Sequence, residues 1–226
     1  PVWTPGSYLV REYSRHVEGF TAEDSRGKRL PWTKSRKNRW QVRAPQSEIR
    51  VRYRVYGREL TVRNNWIEDG FALINGAPTF LLVRGLEDRP HQVRITVPRT
   101  WAGVWTSLET DAGAASGSDP ANEPDGTTHV FVARDHDELI DSPFIAGSPA
   151  VHAFDVDGVP FALINEGEGG FWDGKQAAAD TARIVEAYRK MYGSLPCARY
   201  LFINLITGGR GGLEHKDSCV LMASPY

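Results

Sequence analysis

Four glycines fall within the five positions from Gly208 to Gly212, between the apolar run Tyr200-Leu201-Phe202-Ile203-Asn204-Leu205-Ile206 and a second, Val220-Leu221-Met222. Apolar runs of this length on either side of a glycine cluster predict strand, turn, strand. Glycine lets the backbone turn tightly and lets another chain approach it closely. Leu213, the carboxylate of Glu214 and the imidazole of His215 follow at once, then Lys216-Asp217-Ser218. A glycine-stripped strand of this kind can hold an extended peptide by main-chain pairing while its carboxylate grips a cation. A glycine-rich hairpin with two solvated polar residues accounts for the same spacing without any ligand. If Tyr200 to Ile206 and Gly211 to His215 pair as an antiparallel hairpin about Gly208, partner numbers keep a constant sum. Cys197 then faces Cys219 within reach of a disulfide. A one-residue bulge among the glycines would break that register and leave two separate thiols.

The 226 residues suffice for one large or two modest domains. Apolar content of 41% and charged content of 24% are ordinary for a globular protein. A formal net charge of −1 gives no overall bias toward nucleic acid or membrane, and no apolar stretch approaches the roughly 18 residues a membrane helix needs. No membrane partner is expected. The opening Pro1-Val2-Trp3-Thr4 has no initiator Met and no signal-peptide pattern, so the chain reads as a fragment, and cytoplasmic and periplasmic locations both stay open. Two cysteines are too few for a disulfide scaffold or a four-thiolate zinc site.

Along the chain, Ile49 to Tyr56 alternates apolar and basic residues, the pattern of a half-buried strand. Strands are also predicted at Leu60 to Val62, Phe71 to Ile74, Thr79 to Val83, His91 to Pro98 and His129 to Ala133. This spacing suggests a sandwich or curved sheet, with Trp3, Trp32, Trp40, Trp66, Trp101 and Trp105 as core and edge anchors. Glu109 to Thr128 turns to Ala, Gly, Ser, Asp and Pro and reads as a long exposed loop. Beyond a junction at Asp137 to Phe144, strands at Val151 to Phe154 and Phe161 to Ile164 are followed by one helix, Gln176 to Met191. Its apolar stripe is Thr181, Ile184, Val185, Tyr188 and Met191, and Gly193 and Pro196 end it. The fold class is therefore α+β: a mostly β unit over 1–140, then a mixed α/β unit over 141–226.

Two patterns invite other functions. Arg26 to Arg54 is crowded with basic residues and interleaved with Trp32 and Trp40, as in nucleic-acid surfaces. However, alternation puts Arg50, Arg52 and Arg54 on the outer face of one strand, so a solvated sheet face explains them and no nucleic-acid partner is expected. Gly169-Gly170-Phe171-Trp172-Asp173-Gly174-Lys175-Gln176 has the spacing of a phosphate-binding loop between a strand and a helix. Against a nucleotide, Gln176 stands where a Ser or Thr would bind magnesium, and Phe171 and Trp172 put bulk where backbone amides must wrap phosphate. No His-Glu-x-x-His pair and no Gly-x-Ser-x-Gly turn occurs. Asp135-His136-Asp137 has no nucleophile beside it and reads as a solvated turn.

Three segments carry a family resemblance: Trp3-Thr4-Pro5-Gly6-Ser7-Tyr8-Leu9-Val10-Arg11-Glu12-Tyr13, Asp137-Glu138-Leu139-Ile140-Asp141-Ser142-Pro143 and Gly211-Gly212-Leu213-Glu214-His215-Lys216-Asp217-Ser218. In that order they resemble the N-terminal signature, the domain junction and the Gly-Gly-Leu-Glu-His segment of the M61 glycyl aminopeptidase family. The resemblance implies a β-rich domain lacking its opening strands, the first part of a thermolysin-like zinc peptidase domain and, in the full-length enzyme, a PDZ domain. It implies a zinc cofactor whose His-Glu-x-x-His ligands lie beyond Tyr226, so that catalytic and metal-binding residues are absent here and the fragment is inactive alone. It also implies a peptide substrate with a small first residue, Gly or Ala. Gly211, Gly212, Leu213, Glu214 and His215 would form the substrate-binding strand. In related zinc aminopeptidases the matching Glu receives the substrate's free α-amino group. A non-catalytic peptide-binding β-module is the alternative that the residues alone allow.

Overall fold

A computed structural model describes residues 2–4, 7–44, 48–113 and 126–225. It is mostly β and of the α+β class. In the first part the strands are β1 (Val17–Asp24), β2 (Trp32–Arg36), β3 (Arg39–Val42), β4 (Ile49–Val55), β5 (Trp66–Ile67) and β6 (Phe71–Ile74), followed by the one-turn helix α1 (Gly76–Thr79). Next come β7 (His91–Pro98), β8 (Gly103–Thr106), β9 (Glu109–Thr110), β10 (Gly126–Ala133), the short helix α2 (His136–Ile140) and β11 (Phe144–Gly147). These strands form four small antiparallel sheets, ordered β1-β4, β2-β3, β7-β10-β9 and β5-β6-β11-β8. β11 pairs with β6 and β8 although it follows the junction segment.

The basic strand behaves as its alternation requires. Arg50, Arg52 and Arg54 of β4 are exposed and lie opposite acidic β1: Arg52 meets Glu23 at 2.6 Å and Arg54 approaches Glu18 at 3.9 Å. Trp40 stacks on Phe20 and Trp32 packs edge-on to the same ring, which uses both indoles in packing.

The second part is one five-stranded sheet with a helix on it. Its elements are β12 (Ala150–Val156), β13 (Val159–Glu166), α3 (Gly174–Tyr192), β14 (Tyr200–Ile206), β15 (Gly211–Glu214) and β16 (Ser218–Ala223), with strand order β12-β13-β14-β16-β15. β13 and β14 are parallel, as a crossover through a helix demands, and β14 is parallel to β16. Asp173 caps α3 by accepting from Gln176 N at 2.9 Å, and Gly193 ends it in the left-handed conformation at φ 83°. One face of the sheet packs on the first part through Val62, Phe71, Leu73, Ile145, Ile164, Ile203, Leu205, Leu213 and Val220. The opposite face carries α3 over β12 and β13.

Several expectations need correction. The predicted strand at Leu60 to Val62 is a turn: Thr61 Oγ1 accepts the amides of Arg63 and Asn64, and Val62 drops into the core. Thr79 to Val83 is not a strand either, because Thr79 closes α1 and Phe80 N bonds Gly76 O. The stripe expected on α3 is rotated. Gly174, Ala178 and Val185 face the sheet, with Ala182 packed beside them, whereas Ile184, Tyr188 and Met191 are exposed. Small residues let this helix lie close to the sheet, which a count of large apolar residues overlooks. The expected hairpin of Tyr200–Ile206 with Gly211–His215 does not form. β16 inserts between them, and the antiparallel hairpin is β15 with β16. Phe202, not Cys197, therefore pairs with Cys219, and both cysteines are free thiols. Of the expected long loop, Glu109–Thr110 and Gly126–Thr128 are strand, and 114–125 lie outside the described residues, as do Pro5 and Gly6 of the opening segment.

Candidate functional site

β15 is the outer strand of the five-stranded sheet. Its phase follows from one bond, His215 N to Ser218 O at 2.8 Å. In an antiparallel pair, hydrogen-bonded and non-bonded positions alternate. Leu213 opposite Val220 and Gly211 opposite Met222 are thus bonded to β16, whereas the amides and carbonyls of Gly212 and Glu214 point off the open edge. The side chains alternate too. Leu213 is fully buried in the shared core and His215 is buried beside it, so both face the first part of the chain. Glu214 projects from the other face and is exposed. Of the five residues expected to bind substrate, then, the edge presents the main chain of Gly212 and Glu214 and the carboxylate of Glu214. It turns Leu213 and His215 inward.

Neither Gly211 nor Gly212 has a left-handed φ. A Cβ on Gly212 would meet only Leu221 Cδ2 at 3.5 Å and Glu214 Oε1 at 3.6 Å, ordinary contacts. The fold does not need glycine there.

Among the described residues no hydrogen bond or ion pair engages the Glu214 carboxylate. Its charge acts on two neighbours. Burial, with a further push from Glu214, holds the Cys219 thiol up at about 12, and burial likewise raises the Tyr200 phenol. Tyr200 donates its hydroxyl to Ser218 O at 2.9 Å, which fixes the start of β16.

His215, expected to be solvated in the ligand-free reading, is instead structural. Its Nδ1 lies 2.8 Å from Asp141 Oδ1, and Asp141 Oδ2 accepts the amide of Lys216 at 3.0 Å. The junction carboxylate thus holds the turn that ends β15. Tyr13 packs with Ala77 and Ile140, so the opening segment, the junction and the glycine segment meet in space. A pocket of about 400 Å³ is lined by Trp3, Asp141, Ser142, Lys216 and Asp217 among others. Asp141 was legible only as part of the junction segment, not as a partner of His215; the two-residue alternation of Leu213 and His215 is the signal that His215 is buried. Sequence reasoning passed over Arg63, whose Nη2 lies 3.4 Å from Gly212 O.

The phosphate-loop look-alike is filled by its own acids. Glu168 Oε1 lies 2.7 Å from His152 Nε2 and accepts from Asn165 Nδ2 at 2.7 Å, and Asn165 Oδ1 accepts from Asn204. Asp173 occupies the helix N-terminus, where a phosphate would sit. Two carboxylates in the cradle repel an anion, so the nucleotide reading of Gly169 to Lys175 has no support.

Among the described residues no three His, Cys, Asp or Glu side chains gather as a metal site, and no helix is long and apolar enough to cross a membrane.

The fold recurs in solved proteins described as peptidases. A solved protein of Idiomarina loihiensis, described as an aminopeptidase N family protein, is 30% identical with a TM-score of 0.85, covering 100% of this chain and 37% of that one. An M1 zinc metallopeptidase from Deinococcus radiodurans shares the fold at 16% identity and a TM-score of 0.55, covering 91% of this chain and 51% of that one. A two-domain M1 zinc metallopeptidase mutant bound to L-arginine aligns similarly, at 17% and 0.53, covering 91% of this chain and 50% of that one. Among curated proteins none matches. Residues 1–148 match the peptidase M61 N-terminal domain, and the chain belongs to that family. It spans 37% to 51% of the length of these solved structures.

Proposed function

We propose that this chain is the substrate-gripping part of a zinc-dependent aminopeptidase that removes small N-terminal residues, Gly or Ala, from peptides. In this reading residues 1–140 are a β-rich domain and 141–226 the first part of a thermolysin-like catalytic domain. A PDZ domain would belong to the complete protein. The observation that carries the reading is Glu214: an exposed carboxylate, unpaired among the described residues, on an open sheet edge whose flanking main-chain groups also face outward. A peptide laid along β15 would pair with Gly212 and Glu214 and present its α-ammonium to the Glu214 carboxylate. Such a charge-assisted bond is worth about 1.5 to 3 kcal/mol and measures where the peptide begins. The preference for small first residues rests on the likeness of Gly211 to Ser218 to the family segment.

Zinc, supplied by residues outside this chain, would polarise the scissile carbonyl and activate water. What this chain contributes is orientation: Glu214 fixes the peptide's first residue, Gly212 fixes its main chain, and Asp141 holds the turn behind them through His215 and Lys216. The test is Glu214→Ala in the complete, zinc-loaded protein. kcat/KM on a glycyl substrate with a free N-terminus is expected to fall roughly 10- to 150-fold, matching the lost bond, while zinc content stays at the wild-type level. An unchanged kcat/KM would refute the role. Binding of peptide without any hydrolysis by the wild type would favour a non-catalytic peptide-binding module.

A further inference from the structure

Arg63 follows the turn that drops Val62 into the core. Val62 packs under Gly211, where a Cβ would lie 3.4 Å from Val62 Cγ1. The Arg63 side chain therefore comes up at the open edge of β15, half-buried. Its only hydrogen bond from the guanidinium among the described residues is the 3.4 Å contact with Gly212 O, long for a hydrogen bond. Its Nε is buried and has no partner among the described residues. No carboxylate among the described residues pairs with it. A guanidinium carries five donors in a fixed fork suited to a carboxylate. Taking such a group partly out of water without a counter-ion is costly, and a site that keeps it so is short of an anion.

Glu214 is the complementary case, a carboxylate without a cation among the described residues. The two groups flank Gly212 without touching: Glu214 Oε1 lies 3.6 Å from where its Cβ would be, and Arg63 Nη2 lies 3.4 Å from its carbonyl. We propose that Arg63 and Glu214 together bind a zwitterionic short peptide, Arg63 taking the C-terminal carboxylate of a di- or tripeptide whose ammonium is held by Glu214. This rests on the peptidase reading above and narrows its substrates. The direction follows from the strand. Beyond Glu214 the edge ends in the turn at His215 to Ser218, so a peptide beginning at Glu214 has room only back along Gly212, antiparallel to β15. An extended chain advances at most about 3.5 Å per residue. One or two residues after its start, the peptide therefore arrives at Arg63, whose Nη2 stands at Gly212 O on that edge. Longer peptides must leave the edge there.

The test compares kcat/KM for glycylglycine and glycylglycinamide, which differ only in the terminal charge, on the complete zinc-loaded enzyme. The wild type is expected to prefer the free acid at least 10-fold, R63A to erase the preference and R63K to keep part of it. Misfolded protein lowers both rates and leaves their ratio, so the ratio reads recognition alone, and R63K provides a charge-keeping variant if R63A does not fold. Hydrolysis of both peptides by the wild type without preference for the acid, or a preference that survives in R63A, overturns the role of Arg63 and leaves the aminopeptidase reading standing. Hydrolysis of neither peptide while a longer glycyl peptide is cleaved overturns the role of Arg63 alone, and hydrolysis of none of the three overturns the two together.

Discussion

Two glycine-rich segments in the same sheet differ in what their glycines and acids are used for. Between β13 and α3, Gly167, Gly169 and Gly170 take left-handed φ values that side chains rarely adopt, and a Cβ on Gly174 would collide with the Glu168 carboxylate and the His152 ring. Glu168 there is tied to His152 and Asn165, and Asp173 to the first turn of α3. Along β15 neither the φ values nor the packing require glycine at Gly212, and Glu214 bonds to nothing among the described residues. The first segment is consumed by the fold and the second is left over from it. Glycine spacing alone does not separate them. Whether the polar groups beside the glycines are already satisfied does.

Substitution should expose the contrast, most strongly in stability. Gly174→Ala forces a methyl into Glu168 and His152 and is expected to cost about 3 kcal/mol in unfolding free energy. Glu168→Ala removes the acceptor of buried Asn165, which is only 1% exposed, and should cost about 2 kcal/mol by denaturant titration. Gly212→Ala and Glu214→Ala should each change stability by less than about 0.5 kcal/mol, since neither disturbs a packed or bonded group. A loss as large at Gly212 as at Gly174 would erase the distinction. The smallest effect is chemical. With its pKa pushed up to about 12, Cys219 holds almost no thiolate at pH 8 in the folded chain. Alkylation at pH 8 should therefore mark partly exposed Cys197 first, itself slowed because burial raises its pKa, and reach Cys219 only on unfolding.

The part of this contrast visible in the sequence is local. Alternation in Ile49 to Val55, the helix after β13, and the capping Gly193 all follow from neighbouring residues. The glycine segment also announced an extended strand. What was hidden depends on distant partners. β16 inserts between β14 and β15 because it completes a parallel pair with β14, and nothing in the residues from Tyr200 to His215 encodes that choice. Asp141 meets His215 across 74 positions, and Arg63 reaches Gly212 across 149. Arg63 was further obscured because Leu60 to Val62 has the pattern of a strand while Thr61 folds it into a turn.

The claim that Glu214 reads the peptide's free amino group is tested most directly by selectivity. In the complete zinc-loaded enzyme, the ratio of kcat/KM for a glycyl substrate to that for its N-acetyl counterpart should be large in the wild type. In Glu214→Gln, which keeps the shape and loses the charge, it should fall by a factor of about 10 to 100. An equal fall in both rates that leaves this ratio at its wild-type value would contradict the account.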